Sequence, residues 1–344
     1  VTYGHGPEDS CTNALIREAL PGIICLPDHC AWSRGAGGKQ LEWASWGDLT
    51  GHPMIVLLHE GLGCVALWGL AVVLPTSWVG VAFLILVCAL TLHSSLSHEI
   101  LHGHPFRSAC ATTALGLIQP GLFVPYLRFK RLHLAHHQDQ NLTDPYDDPE
   151  TNYLDPQVWH TLPRAVQAVL SANNTLLGRM IIGPLIGMVV FVYSDIKMLA
   201  AGNRQVALDW ALHLPGVALV LWAVSLSPLT LLGYLSACYV ALSILKIRTF
   251  LEHRAHARAS GRTVVVEDRG VFAFLFLNNN FHVVHHMHPT VSWYHLPALY
   301  RAHKARYLRR NGGYVYRSYG QVFREFLVRR KDPVAHPLWQ PPVE

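Results

Sequence analysis

Four long apolar stretches constrain the fold of this chain more than any other feature of its sequence. They cover residues 53–74, 77–93, 207–226 and 228–247. About 20 mostly apolar residues are needed to cross the hydrocarbon core of a bilayer, so each stretch qualifies, the second only if it continues towards Ser97. The charged fraction of 14% also argues against an ordinary soluble enzyme, in which about 25% of residues are charged. The sequence therefore predicts an all-α polytopic membrane protein with about four transmembrane helices.

Two further apolar stretches, residues 109–127 and 176–193, are interrupted by Pro120, Pro125 and Pro184. Because proline breaks the hydrogen-bond pattern of a helix, we predict that these stretches are interfacial or re-entrant and do not cross. The four long stretches then form two hairpins below a histidine-rich cap. Lys and Arg residues gather around this cap, so the positive-inside rule predicts that it faces the cytoplasm.

The same patterns divide the chain into three parts. We predict a poorly ordered N-terminal segment at residues 1–46, a membrane domain at residues 47–310 and a C-terminal tail at residues 311–344. The net charge of +5 is modest. We attribute this charge to membrane topology and expect no nucleic-acid partner.

Histidine is the unusual residue type, with 22 of 344 positions, and the histidines are clustered. Three boxes read SHEILHGHP, RLHLAHH and NNNFHVVHHMHP. In a helix, residues at i, i+3 and i+4 lie on one face, so each box can present two or three imidazoles to a common point. Scattered surface histidines do not explain three such boxes, two of which share His-x-x-His-His spacing. The candidate metal ligands are His98, His102, His133, His136, His137, His282, His285 and His286.

The first box also matches the His-Glu-x-x-His pattern of zinc peptidases, in which two histidines bind zinc and the glutamate acts as a base. A single zinc ion needs three or four ligands, whereas this chain offers at least eight clustered imidazoles, enough for two metal ions. None of the later apolar stretches supplies the aspartate motif of an intramembrane zinc protease. The match is therefore interpreted as incidental, and a zinc membrane protease is kept as a remote alternative.

The order and spacing of the three boxes resemble those of the membrane-bound fatty acid desaturase superfamily, over roughly residues 40–305. HEILHG is similar to the first box of that superfamily, HLAHH with the later TDPYDDP to the second, and FHVVHHMHP with the later WYHLP to the third. Within the superfamily, the chain looks most like bacterial acyl desaturases and carotenoid ketolases. A bacterial inner membrane is therefore the expected location.

The resemblance implies further site residues. LEHRAH, before the third box, is similar to a segment in which relatives carry a ninth histidine ligand, and this implies that His253 binds metal. Asn278 matches a position at which some relatives hold a metal-bound water. Acids near the boxes are expected to accept hydrogen bonds from ligand imidazoles and so to orient them. The candidates are Glu99, Asp139, Asp144, Asp147, Asp148 and Glu252, with Glu99, Asp144 and Asp147 preferred.

The resemblance implies an oxygen-dependent oxidoreductase that acts on C–H bonds of a lipid, most simply a fatty acyl desaturase. Its cofactor would be two iron ions, because imidazole suits iron and zinc has no redox chemistry, with dioxygen as co-substrate. Electrons would come from a separate ferredoxin, rubredoxin or cytochrome-type donor. The basic stretch RAHKARYLRR could dock this donor or anionic lipid headgroups. A carotenoid ketolase or hydroxylase with the same centre is the alternative, and a non-enzymatic metal-binding membrane protein is a remote one.

Overall fold

The computed structural model describes residues 53–74, 76–106, 108–138 and 140–340, with side chains from residue 61 onwards. The predicted N-terminal segment, residues 1–46, lies outside these residues.

The described residues are mostly helical, with one small sheet. Two parallel strands, β1 (Val265–Val266) and β2 (Val315–Tyr316), form this sheet. Three short 3-10 turns lie at Thr76–Trp78, Ala259–Gly261 and Trp293–His295. The α-helices in chain order are α1 (Pro53–Val73), α2 (Val79–Leu101), α3 (Ala109–Gly116), α4 (Tyr126–His136), α5 (Pro156–Thr161), α6 (Arg164–Asn173), α7 (Leu176–Ile181), α8 (Gly183–Ala200), α9 (Arg204–Ser225), α10 (Leu231–Thr249), α11 (Val271–Leu275), α12 (His282–Met287), α13 (Leu296–Arg310) and α14 (Tyr319–Phe326).

Four of these helical segments are long and apolar enough to cross a bilayer. They are Thr76–Leu101, Gly183–Ala200, Arg204–Ser225 and Leu231–Thr249. Within α1, the part whose side chains are described is the shorter apolar segment Gly61–Val73. Large apolar side chains point outwards from them; on α10, for example, Leu232 is 75% exposed. Such continuous apolar surface is rare on soluble monomers and suits contact with lipid. The predicted all-α polytopic membrane architecture is confirmed.

Helix α8 differs from the prediction for residues 176–193. Pro184 does not interrupt it, because Pro184 occupies the first turn, where the missing N–H has no intrahelical partner to lose. Histidines before α8 and histidines after α10 meet in one cluster, so an even number of crossings must separate them. Helix α8 has the length of a span, but because α9 and α10 form a hairpin, we expect that it does not cross.

Residues 117–125 connect α3 to α4. Their backbone is irregular and lies beside the first turn of α10. The hydroxyl of Tyr234 donates to the carbonyl of Pro120 at 2.7 Å, and the ring of His213 on α9 donates to the carbonyl of Leu122 at 2.7 Å. Backbone carbonyls at membrane depth are tolerated only where the protein satisfies them. Gly116 is required at this return, because a side chain there would overlap the ring of Tyr126. These contacts are the ones that an interfacial or re-entrant segment requires, and that assignment of residues 109–127 stays a prediction.

The C-terminal region packs into the same unit as the membrane domain. Tyr319 and Val322 on the inner face of α14 are buried in one core with Phe276 and Leu277. Strand β2 pairs with β1. Amphipathic α14 buries its apolar face in this core. The domain boundaries predicted from the sequence, including the tail from residue 311, stay a prediction.

Candidate metal centre

The first box lies where α2 ends. His98 occupies the last full turn of α2 and His102 directly follows the helix, so the two imidazoles lie one turn apart on one face. Gly103 then adopts a φ of +100°, a conformation that favours glycine and commonly ends a helix. The long apolar helix thus delivers two histidines to its polar end.

The second and third boxes lie on short helices. Both boxes have His-x-x-His-His spacing, but they distribute their histidines differently between two groups of nitrogens. On α4 and its end, His133 and His137 join one group of nitrogens, whereas His136 joins another. On α12, His282 and His286 join the second group, whereas His285 joins the first. Positions i and i+4 share a helix face, and position i+3 is rotated from i+4 by about 100°. Each His-x-x-His-His box can therefore serve two neighbouring sites.

The structure brings all nine histidines singled out in the sequence into two adjoining groups. In each group, one ligand atom from every residue lies within 4.8 Å of all the others. We call them the group of five and the group of four. The group of five is His98, His102, His133, His137 and His285, and the group of four is His136, His253, His282 and His286.

Imidazole nitrogens face one another in both groups. In the group of four, Nε2 of His253 lies 2.8 Å from Nε2 of His136 and 3.1 Å from Nε2 of His282. In the group of five, Nε2 of His137 lies 3.0 Å from that of His133 and 3.2 Å from that of His285. Two nitrogens bound about 2.1 Å from one ion at a right angle would be about 3 Å apart. The spacing fits a metal ion in each group.

Although burial acts against it, the carboxylates of Glu150 and Asp148 raise the pKa of His136 to about 9. Three other rings have electrostatics that fit a metal. Burial, followed by the neighbouring imidazoles, holds the pKa of His253, His282 and His285 well below the usual value. These rings are therefore neutral, the form of histidine that binds metal. Nε2 of His102 is buried and has no hydrogen-bond partner among the described residues. An unsatisfied buried nitrogen aimed into a histidine cluster is what a ligand without its ion looks like.

The two groups are in direct contact through their imidazole rings. The rings of His137 and His286, one from each group, stack with centroids 4.3 Å apart and an interplanar angle of 15°. His133 and His136, one turn apart on α4, also divide between the groups, with ring centroids 5.7 Å apart. Two ions bound here would be close neighbours.

Several histidines bond outwards through Nδ1. His136 donates to Asp148 at 2.7 Å and His133 to Glu150 at 2.9 Å. His282 lies 3.1 Å from the amide oxygen of Asn279. Such partners fix the ring orientation and leave Nε2 directed inwards. Sequence reasoning included Asp148 among the candidate acids but missed Glu150, in the same acidic turn, and Asn279.

The preferred acids and the amide predicted from the sequence have other contacts, apart from Glu99. Glu99 Oε1 lies 3.7 Å from Nδ1 of His98. Asp144 accepts from the backbone N–H of Tyr146 and Asp147 and so caps its own turn, and Asp147 is exposed. Asn278 donates to the carbonyl of Trp293, and its role in holding a metal-bound water stays a prediction.

A comparison with known proteins identifies the family of this chain. A model of the fatty acid desaturase family matches residues 75–318, a range that includes all three boxes and His253. The chain belongs to the fatty acid desaturase family. A search of curated proteins found no match.

Membership of the desaturase family, together with the apolar helices, makes this chain an integral membrane enzyme of the oxidoreductase class with a lipid substrate. The two histidine groups could hold the metal on which such enzymes depend.

Proposed function

We propose that this desaturase-family chain oxidises C–H bonds of a lipid acyl chain with two iron ions and dioxygen, most simply as a fatty acyl desaturase. The observation that carries the proposal is the pair of adjoining imidazole groups, five and four, with nitrogens that converge at about the spacing of metal ligands. All nine histidines are proposed as ligands. A single catalytic zinc ion would use three protein ligands and would leave most of these nitrogens without a role.

The redox balance of the reaction requires a metal that changes oxidation state. In a desaturation, the acyl chain gives up two hydrogens, the donor supplies two electrons with two protons, and dioxygen becomes two water molecules. Iron ions bound in the two groups would supply the reduction of dioxygen and the oxidising power to break an unactivated C–H bond. Imidazole ligands suit iron, and redox-inert zinc cannot supply this chemistry.

The residues of this chain position and shield the site. Asp148 and Glu150 accept the Nδ1 protons of His136 and His133 and so keep Nε2 free for metal. Phe129 packs beside His133 with ring centroids 5.7 Å apart and gives the group of five an apolar neighbour. Since His98 lies within the spanning helix α2, an acyl chain is proposed to reach the group of five from the bilayer side.

Glu99 is bonded in a way that supports an oxidase more than a peptidase. Its Oε2 accepts the backbone N–H of Trp293 at 3.1 Å, and its Oε1 lies on the Nδ1 side of His98. A peptidase glutamate must face a water on the metal, which would lie on the opposite, Nε2, side of a ligand ring. We therefore propose that Glu99 orients His98 and does not act as a base.

The histidine groups are proposed to face the cytoplasm of a bacterial cell. Basic residues lie at this end of the spans: Lys246 and Arg248 in the last turn of α10, and Lys130 and Arg131 on α4. The positive-inside rule counts such residues near the ends of spans, and acidic partners change it little.

The electron donor is proposed to be an acidic protein that docks on α13. This helix carries five basic residues and no acid, and Arg301, Lys304, Arg306 and Arg309 are exposed. The buried face of α13 packs against residues next to the group of four. Tyr300 packs on Phe281, the residue before His282, with centroids 5.2 Å apart, and Tyr307 packs on His288 at 6.2 Å. An acidic ferredoxin, rubredoxin or cytochrome-type protein bound there would have a short path to the metal.

Metal analysis combined with lipid analysis tests this proposal. Protein purified under reducing conditions is expected to hold close to two irons per chain. A host that expresses it is expected to accumulate unsaturated acyl chains only in the presence of oxygen. Hydroxylated or keto products, including oxidised carotenoids, would identify the oxygen-inserting alternative. One tightly bound zinc and oxygen-independent activity would contradict the proposal.

A further inference from the structure

His253 differs from the other eight histidines because it does not lie in a box or in a helix. It follows the end of α10 in an irregular loop. An isolated bridge pairs this loop with residues around Thr263: the N–H of Arg254 donates to the carbonyl of Arg262, and that of Val264 to the carbonyl of Glu252. In this pattern the backbone carbonyl of His253 points away from the bridge. The bridge therefore does not bind this carbonyl, and another contact has to hold it.

Lys331 supplies that contact from a distant part of the chain. Its Nζ donates to the carbonyl of His253 and, at 3.0 Å, to the carbonyl of Phe250. Only 10% of the Lys331 side chain is exposed. A buried ammonium group is costly unless it is hydrogen-bonded, and here both carbonyls belong to the segment that carries His253.

The next residue, Asp332, makes a second connection through Tyr153. The Tyr153 hydroxyl donates to Asp332 at 2.6 Å and accepts the backbone N–H of Ala255 at 2.9 Å. Lys331 and Asp332 also pair with each other at 3.3 Å. The loop is thus held on both sides of His253, at Phe250 and at Ala255.

The segment that carries Lys331 and Asp332 is itself anchored. The N–H of Lys331 donates to the carbonyl of Asn174 at 3.0 Å, and the Asn174 side chain donates to the carbonyl of Asp332 at 2.6 Å. The N–H of Leu154 donates to the carbonyl of Val334 at 2.9 Å. These contacts lie beyond residue 318, at which the family match ends.

We propose that Lys331 and the Asp332–Tyr153 pair are positioning residues that hold His253 against His136 and His282 and so complete the group of four. The inference rests on the proposed function in taking the group of four as a metal site. The C-terminal segment is then needed to load one of the two ions. The group of five does not depend on it.

Metal stoichiometry of matched variants tests the inference. Lys331→Met keeps the apolar stem and removes both hydrogen bonds, so iron is expected to fall from about two to about one per chain. Lys331→Arg can still donate to both carbonyls and is expected to restore most of the loss, and Tyr153→Phe is expected to show a smaller loss. Arg329→Met, an exposed cation in the same segment, serves as the control and keeps both ions.

Combination with ligand variants shows which ion is lost. Adding Lys331→Met to His282→Ala, in the group of four, is expected to cause no further loss of iron. Adding it to His98→Ala, in the group of five, is expected to remove the remaining ion. Equal loss from both groups, or a fall in melting temperature that Lys331→Arg fails to restore, would make Lys331 a general folding residue and overturn the inference.

Hydrogen exchange on metal-free protein separates this inference from the proposed function. Lys331→Met is expected to speed amide exchange across residues 250–256 by about tenfold or more, since two charged hydrogen bonds are lost, and to leave the first box unchanged. Unchanged exchange in that loop would overturn the inference. Wild-type protein that binds no iron would instead contradict the proposed function, and the exchange rates would still decide the role of Lys331.

Discussion

The group of five and the group of four are built from the same residue type but are supported in different ways. Every member of the group of five comes from a box on a helix or directly at its end, so helical spacing sets its geometry. The group of four takes His253 from an irregular loop whose position depends on Lys331 and Tyr153. Both groups join boxes that are far apart in sequence, but within each box helical spacing orients the ligands, whereas His253 has no helix to orient it.

The two groups also differ in their surroundings. His98 places the group of five at the end of the spanning helix α2. The group of four adjoins His288 and Phe281, which pack under the basic helix α13. If the proposed function holds, substrate reaches the pair from one side and electrons from the other.

Removal of one ligand from each group is expected to have the largest effect. His98→Ala and His282→Ala should each leave about one iron per chain and reduce activity below detection, because the reaction requires both ions. The double variant should hold none. Iron analysis and activity assays on purified protein measure this. His160→Ala, an exposed histidine outside both groups, is the control, and independent sites would be disproved if either single variant lost both ions.

Removal of outer hydrogen-bond partners is expected to have an intermediate effect that is specific to one group. Asp148→Asn should weaken the site of His136, in the group of four, and Glu150→Gln the site of His133, in the group of five. Losses of about 10–100-fold in metal affinity or activity are typical for such partners. Titration with a chelator would show which ion leaves first. Asp144→Asn should change little, and a loss as large as that of Asp148→Asn would contradict the assigned contacts.

The boxes were predictable from sequence because a helical repeat is local. His133 and His137, or His282 and His286, share a face whatever the rest of the chain does. The spans were predictable for a similar reason, since length and apolarity are properties of a single segment. His253 required the family resemblance, because no local pattern marks a single histidine in a loop.

The outer partners were not predictable in the same way. Asp144, Asp147 and Asp148 lie within one short turn, and only the path of its backbone decides that Asp148 reaches His136 while Asp144 caps the turn. Asn279 rather than Asn278 reaches His282 for a similar reason, because Asn278 adopts a positive φ of 52°. The contact of Lys331 with His253 joins residues 78 apart, which no short-range pattern encodes.

Substitution of Glu99 is expected to have a smaller effect, confined to the group of five. Glu99→Asp should keep near-full iron and substantial oxygen-dependent activity, because a carboxylate can still orient His98. Glu99→Gln should weaken both partially, towards the lower end of the roughly 10–100-fold range for outer partners. Paired measurements of iron content and turnover make this distinction. An inactive Glu99→Asp with its full metal complement would favour a catalytic base and the peptidase alternative.

Neutralisation of the basic surface of α13 is expected to have the smallest effect, confined to electron supply. Arg306→Gln with Arg309→Gln should raise the KM for an acidic donor several-fold at low salt and much less at high salt, since exposed charges act over about 10 Å at 0.1 M ionic strength. Iron content and kcat at saturating donor should not change. Arg164→Gln, an exposed arginine on α6, is the control. A KM that is insensitive to salt would place the donor elsewhere.

The re-entrant backbone between α3 and α4 has a consequence for biosynthesis. Its carbonyls at Leu122 and Pro120 are satisfied by His213 and Tyr234, which follow them by 91 and 114 residues. At a translation rate of roughly 5–20 residues per second, the ribosome needs several seconds to produce these partners. During that interval the segment cannot occupy its final depth, because its carbonyls would be unsatisfied in lipid. The segment is therefore expected to reach its final position only after α9 and α10 have been synthesised.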